Sequence, residues 1–88
     1  MAQPRPWVTE IVDTLHDLGG EADLEQIDRR IHLRAKMNFA SNRNWKARVR
    51  GTIEIHSSDS EAYVQRNSDL FQSVFGIREG RWRLRDLA

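Results

Sequence analysis

The sequence Asn-Arg-Asn-Trp-Lys-Ala-Arg-Val-Arg-Gly-Thr-Ile-Glu-Ile-His spans residues 42–56. Arginine or lysine at positions 43, 46, 48 and 50 places four basic side chains within about two helical turns, with no acidic residue between them. Asparagine and serine residues just before them are common at helix starts. We therefore predict a basic helix over residues 44–57 that follows a polar entry. If the rest of a small domain holds this helix on its surface, the expected ligand of the helix is a polyanion. Among polyanions, the groove of a nucleic-acid duplex places the strictest demands on the shape of the helix.

The two faces of this helix differ in size and polarity. At about 100° per residue, one face centred on Val49 is predicted to meet the core. The other members of that core face are Trp45, Thr52, Ile53 and His56. The opposite face contains Ala47, Arg50, Gly51 and Glu54, with Arg48 and Ile55 at the flanks. A glycine inside a helix lowers helix stability by roughly 1 kcal/mol relative to alanine, so the presence of Gly51 requires an explanation. One explanation is close approach of this helix to a groove, and the other is packing of Gly51 against a neighbouring helix.

Length and composition indicate one small domain over residues 1–88. The chain has 88 residues, of which 39% are hydrophobic, and no cysteine, so neither disulfides nor a thiolate zinc site is available. The histidines at positions 16, 32 and 56 are too far apart for the short ligand spacing of a zinc site, and we expect no metal and no cofactor. No apolar run approaches the roughly 20 residues of a membrane span, and the start lacks a signal peptide core. We expect a soluble, cytoplasmic protein with no membrane partner.

The charge is unevenly distributed along the chain. The formal net charge is +1, yet residues 1–40 carry −2 and residues 41–88 carry +3. Arginine heavily outnumbers lysine, which favours planar partners such as phosphates and guanine edges. The asymmetry is compatible with a nucleic-acid face and equally with a solvated face that carries ordinary ion pairs.

Apolar spacing and turn residues predict the remaining elements. Two prolines make residues 1–6 an extended arm, and apolar residues at steps of three and four predict a first helix over 7–18, which Gly19 and Gly20 end. Asp23 and Gln26 form a capping-box pattern that begins a second helix over 24–36.

A long polar connector precedes the last element. The run from Leu70 to Ile77, a glycine-containing turn and the alternating Arg-Trp-Arg-Leu-Arg of residues 81–85 predict a hairpin over 70–85 with arginines on its outer face. Three helices followed by such a hairpin are the parts of a winged helix-turn-helix, an α+β fold. The Glu21-Ala22 segment sits where that fold usually has a short strand that pairs with the hairpin.

Several segments together resemble the winged-helix domains appended to prokaryotic restriction endonucleases. They are Leu-Gly-Gly-Glu-Ala-Asp-Leu-Glu-Gln-Ile (18–27), Trp-Lys-Ala-Arg-Val-Arg-Gly-Thr-Ile-Glu (45–54), His-Ser-Ser-Asp-Ser (56–60), Asp-Leu-Phe (69–71) and Gly-Arg-Trp-Arg-Leu-Arg (80–85). The likeness covers nearly the whole chain and is most specific in the third helix and the wing. One branch of that family looks like the winged helix of modification-dependent enzymes that cut DNA at N6-methyladenine sites of GATC type.

The resemblance implies a module that reads the major groove of methylated duplex DNA and contains no nuclease centre. Such a module would be a monomeric domain, either on its own or fused to or paired with a nuclease, in the nucleoid region of a prokaryotic cytoplasm. The sequence also lacks a recognisable arrangement of catalytic residues. The spaced carboxylates at Asp13 and Asp17, and at Asp59 and Glu61, are better explained by a solvated helix face and a polar loop.

The DNA-contacting residues are predicted on the basic helix and the wing. We expect the helix to enter the groove with its N-terminus first, where asparagine can pair with adenine and arginine with guanine. Trp45 is the candidate for contact with the methyl group, and a core position is its alternative. The wing arginines would contact the DNA backbone or a neighbouring minor groove. The predicted set comprises Asn42, Arg43, Asn44, Trp45, Lys46, Arg48, Arg50, Arg78, Arg81 and Arg83.

Two alternatives to a methyl reader are open at this point. A winged-helix transcription regulator would read unmodified DNA with the same residues. A protein-interaction winged helix would instead pair its arginines with acidic residues of a partner chain.

Overall fold

Three α-helices and a three-stranded antiparallel sheet make up residues 5–85, the part of the chain that the computed structural model describes. The order is α1 (Trp7–Asp17), β1 (Glu21–Asp23), α2 (Leu24–Arg34), α3 (Trp45–Ile55), β2 (Phe71–Ser73), a 3-10 turn (Ile77–Glu79) and β3 (Arg81–Leu84). The architecture is therefore α+β. Residues 1–4 of the predicted N-terminal arm lie outside the described residues. No helix within 5–85 is long and apolar enough to cross a membrane.

The first two helices have the predicted caps. α1 is followed by Gly19 and Gly20, both at positive φ, and the Gly20 N–H donates to the Leu15 carbonyl at 2.7 Å. The Asp23 carboxylate accepts from the Gln26 N–H at 2.8 Å, while the Gln26 side chain accepts from the Asp23 N–H at 3.0 Å. The capping box that was expected from the sequence is thus confirmed.

The entry to α3 differs from the prediction. Asn44 occupies the cap position, but its side chain makes no capping hydrogen bond. The polar residues before it stabilise their own loop instead: Asn38 Oδ1 accepts from the Ser41 N–H, and the Asn42 side-chain amide donates to the Asn38 carbonyl at 2.9 Å. Asparagine side chains bond readily to nearby backbone, and here such bonds stabilise the loop before α3.

The central strand of the sheet is β3, in the order β1-β3-β2. Trp82 lies opposite Ala22 of β1 and Ser73 of β2, so the strand predicted at Glu21-Ala22 does pair with the hairpin. The connection between β2 and β3 is longer than the predicted tight turn, because it runs from Val74 to Gly80 and includes the 3-10 turn.

The core lies between the helices and one face of the sheet. It comprises Ile11, Leu15, Ala22, Ile27, Ile31, Val49, Ile53, Phe71, Trp82 and Leu84. Val49 and Ile53 are fully buried, as predicted, and hold α3 against the rest of the domain. Thr52 and His56, placed on the same face by the projection, are only half-buried. The opposite face of α3 is thereby turned away from the core.

Acidic residues that were expected on solvated surfaces take part in ion pairs. Glu10 is fully buried and accepts from Arg5 Nε at 2.8 Å and Arg34 Nε at 2.7 Å. The same two arginines pair with Asp13 and Asp17, whose side chains are still 45% and 41% exposed, so this face of α1 is solvated and is also joined to α2 by ion pairs.

A second ionic cluster attaches the polar connector to the sheet. Arg85 contacts Asp59 at 3.4 Å and Asp69 at 3.1 Å, and Asp69 also accepts from the Ser58 N–H and hydroxyl. Asp59 accepts from the Ser73 N–H at 2.8 Å. The Ser-Ser-Asp segment after α3 is thus a polar loop, as expected, and it is bonded to the sheet.

Candidate nucleic-acid interface

The N-terminal half of α3 presents a basic surface around a thin centre. Arg43, Lys46 and Arg48 are exposed, and none of them forms an ion pair with another residue of the described range 5–85. At about 100° per residue, Lys46 and Arg48 project to opposite sides of the exposed Ala47. We call these four residues and Gly51 the α3 surface.

Most arginines elsewhere have an acidic partner. Arg5, Arg29, Arg34, Arg81 and Arg85 all contact Asp or Glu side chains. In the second half of the chain, the arginines at positions 66, 78 and 83 also have no acidic partner within residues 5–85, but they lie apart in the sequence, whereas Arg43, Lys46 and Arg48 lie within six consecutive residues. From the sequence alone, a nucleic-acid face and a solvated face with ordinary ion pairs could not be distinguished, because both have the same charge count.

Arg50 is the exception on this helix. It is 56% exposed and contacts Glu54 at 3.4 Å, one turn further along α3. An exposed pair of this kind contributes little to stability and opens at little cost. The Glu54 carboxylate nevertheless makes the C-terminal half of α3 less suited to binding an anion than the N-terminal half.

Gly51 has no packing partner among residues 5–85. A Cβ built at this position has no non-neighbouring atom of the described residues within 4 Å, apart from the helix's own backbone. Within residues 5–85, close packing of Gly51 against a neighbouring helix, one of the two explanations offered by the sequence, is therefore wrong. With Asn44, Ala47 and Arg48, Gly51 lines a shallow open surface along the helix.

The two asparagines at the helix start are placed differently. Asn42 is half-buried, and its amide group is already bonded to the Asn38 carbonyl. Asn44 is exposed and makes no capping bond, so its amide group is available to a ligand. Of the two, Asn44 has the better position for a base edge.

Trp45 packs in an aromatic cluster. Its ring is nearly parallel to Trp7, with centroids 6.3 Å apart, and lies 4.9 Å from the Phe39 centroid. His32 of α2 completes the cluster at 6.4 Å. The side chain is half-buried, and the Lys46 ammonium lies 5.7 Å from its ring centroid. Trp45 thus has mainly a packing role, and only part of it faces solvent.

The arginines of the wing do not form the continuous outer face that alternation predicted. Arg81 pairs with Glu21 at 2.7 Å across the β1–β3 ladder. Arg83, opposite Glu21 and Gln72 in the sheet, is half-buried. Arg78, on the 3-10 turn, is exposed. Only Arg78 has the exposed position that a backbone contact requires.

A cleft of about 710 Å³ separates α2 from the start of α3. Asp28 of α2 lies in its lining together with Trp45 and Lys46. Burial raises the pKa of the Asp28 carboxyl to about 6, an effect that the positive charge of Lys46 partly offsets. No sequence signal distinguishes Asp28 from the other charged residues of α2, and it was absent from the predicted site.

Comparisons with family models, curated proteins and solved structures found no match to this chain. Within residues 5–85, no group of three His, Cys, Asp or Glu side chains is arranged to hold a metal ion.

Proposed function

We propose that the chain binds double-stranded DNA, with the N-terminal half of α3 in the major groove of a winged helix-turn-helix arrangement. The observation that carries the proposal is the α3 surface, where exposed cations that have no acidic partner within residues 5–85 surround Ala47 and Gly51. Lysine and arginine at such positions release counterions from phosphates, which is the main source of duplex affinity.

The thin centre of the α3 surface favours a duplex groove over other polyanions. A major groove of about 12 Å width admits an α-helix, and small side chains let the helix axis approach the groove floor. The order of three helices and a three-stranded sheet is compatible with a winged-helix domain, in which the wing follows the recognition helix. Arg78 would then add a backbone contact that fixes orientation without reading sequence.

The finer proposal is that the DNA carries N6-methyladenine at GATC-type sites and that the domain is the targeting module of a modification-dependent restriction system. This finer proposal rests on the resemblance of the third helix and the wing to the winged helices of modification-dependent restriction enzymes. In it, Asn44 and Arg43 are the residues that contact base edges. Only the solvent-facing part of Trp45 is available for methyl contact. In this proposal the chain is a binding module, and any cutting belongs to a separate nuclease domain.

Duplex affinity measured against salt tests the general proposal. We expect binding at low salt that weakens steeply as salt increases, with a log–log slope of about −3 or steeper if three or more phosphates are neutralised. Arg48→Ala should flatten the slope by about 1. Arg66→Ala is the matched control, because Arg66 is also exposed and without an ion pair in the described range but lies in the connector after α3. Absence of duplex binding at low salt would refute the proposal and favour a protein partner.

Competition among GATC duplexes with no, one or two N6-methyl groups tests the finer proposal. A methyl reader should prefer the modified duplexes by roughly five-fold or more, equivalent to about 1 kcal/mol. Equal affinities would remove the methyl specificity and leave general duplex binding in place.

A further inference from the structure

A second cavity adjoins the α3 surface on the side of Arg48. It has a volume of about 460 Å³ and lies between the start of α1, the loop that joins α2 to α3, and Arg48 itself. We call it the Arg48 pocket. Its polar lining comprises three cationic side chains and two asparagines: Arg5, Lys36, Arg48, Asn38 and Asn42. No acidic residue of the range 5–85 lines it, unlike the larger cleft between α2 and the start of α3.

Two of the three cations of the Arg48 pocket have no acidic partner in the described chain. Arg5 is neutralised by its ion pairs with Glu10 and Asp13. Lys36 and Arg48 are exposed, and neither forms an ion pair within residues 5–85. A cavity that brings two such cations together, with no acid in its described lining, attracts an anion.

Asn38 adds a hydrogen-bond donor to these cations. Its backbone carbonyl accepts from the Asn42 amide at 2.9 Å, and its side-chain oxygen accepts from the Ser41 N–H at 3.1 Å. The side-chain NH₂ of Asn38 is the end that remains, and it has no acceptor within residues 5–85. An ammonium, a guanidinium and an amide NH₂ are donors that suit the oxygens of a phosphate.

The position of the Arg48 pocket matches that of a DNA strand beside α3. Arg48 lines both this pocket and the open surface along the helix. A helix in a major groove has a phosphate backbone on each side, and Arg48 and Lys46 project to opposite sides of Ala47. α2 ends at Ala35, whose left-handed conformation (φ 53°) turns the chain, and the next residue, Lys36, lies in the lining. Lys36 therefore faces the same strand as Arg48.

We infer that the Arg48 pocket binds a phosphate group, with Lys36, Asn38 and Arg48 as the residues that contact it. On a bound duplex, this group is a backbone phosphate on the Arg48 side of α3, and its contact with the loop before α3 fixes the rotation of the helix in the groove. A free phosphate ester would present the same chemistry. The first source rests on the proposed DNA binding, whereas the second does not.

Inorganic phosphate tests the pocket without DNA. Followed by NMR of the ¹⁵N-labelled chain at constant ionic strength, phosphate should shift the amide signals of residues 36–38 and the Arg48 Nε signal saturably. Acetate should bind at least about fivefold more weakly. Lys36→Ala should lower the phosphate affinity at least about fivefold, and Lys36→Arg, which keeps the charge, should restore most of it.

Arg66→Ala is the matched control for the phosphate titration, because Arg66 is an exposed arginine outside the pocket, and its removal should leave the phosphate affinity unchanged. The inference is overturned if phosphate leaves the signals of residues 36–38 unshifted, if acetate binds as well as phosphate, or if Lys36→Ala binds phosphate like the wild type.

A duplex titration identifies the source of the phosphate. A saturating duplex should shift the same signals and prevent any further shift by inorganic phosphate. Lys36→Ala should weaken duplex binding at least about threefold and flatten the log–log salt slope by about 1, and Arg66→Ala should do neither. Duplex binding that leaves the pocket open to phosphate would assign the pocket to a free phosphate ester. Absence of all duplex binding would count against the proposed function, and the phosphate titration would still decide the pocket.

Discussion

Glu10 is a buried charge whose partners come from two directions. Its carboxylate is fully buried and is held by Arg5 before α1 and by Arg34 at the end of α2. These contacts also raise the pKa of the Arg34 guanidinium above its ordinary value, so the arginine stays charged. A buried ion pair adds little beyond what an apolar pair would, but losing one partner leaves an uncompensated charge.

Arg34→Ala should therefore lower the free energy of unfolding by about 3 kcal/mol, the lower end of the range for a broken buried pair, because Arg5 still contacts Glu10. Chemical denaturation measures the change. Arg29→Ala is the control, since its exposed pair with Glu25 should contribute less than about 1 kcal/mol. If both variants lose the same small amount, Glu10 is not held in the manner described.

The raised pKa of Asp28 predicts an unusual dependence of stability on pH. Its pKa rises from an ordinary 3.8 to about 6 on folding, so the folded state binds more protons than the unfolded state between those values. Stability from this group is greatest at low pH and falls as pH increases through about 6. The other charged or titratable side chains at the cleft are Glu25, Arg29, His32 and Lys46.

Asp28→Asn should remove that slope and raise stability at pH 7 by about 1–2 kcal/mol, a value reduced for partial solvent screening. Thermal unfolding of both chains between pH 4 and pH 8 would show it, with the two curves converging toward pH 4. Curves that stay parallel over this range would mean that Asp28 ionises normally.

At the scale of elements, α3 combines a buried stripe with an exposed face that carries a destabilising residue. Val49 and Ile53 hold the helix, while Gly51 faces open space and lowers helix stability for no gain within the described residues. Positions of this kind, where a local rule is broken without compensation, often reflect function.

Gly51→Ala should stabilise the domain by about 0.5–1 kcal/mol, because its Cβ meets no atom of the described chain outside the adjoining helix backbone. If α3 lies deep in a groove, the same change should weaken duplex binding roughly five-fold. Ala47→Gly is the matched control, which should lower stability and leave close approach intact. A more stable Gly51→Ala chain with unchanged affinity would place the DNA contact elsewhere.

At the scale of the whole molecule, local signals predicted the elements and missed their ionic connections. The capping box and the glycines after α1 depend on neighbouring residues, whereas the strand at Glu21-Ala22 was expected from the order of elements in a winged helix, and all are present. The pairs Arg34 with Glu10 and Arg85 with Asp59 join residues 24 and 26 positions apart, which no periodicity reveals. For the candidate site, the helix faces could be projected, but which arginines had acidic partners could not.

Two arginines of the wing differ in whether they have an acidic partner, and we expect them to differ in DNA binding. Arg81 is committed to Glu21 across the sheet, whereas Arg78 is exposed on the 3-10 turn. Arg78→Ala should lower duplex affinity to a similar degree for all sequences and flatten the salt slope by about 1, since a phosphate contact carries no sequence information. Arg81→Ala should leave affinity unchanged and cost less than about 1 kcal/mol of stability. Fluorescence anisotropy against salt, with unfolding measured in parallel, separates the two effects. If Arg81→Ala weakens binding more than Arg78→Ala does, the Arg81–Glu21 pair must open on DNA, and the wing meets the duplex through the sheet rather than through its turn.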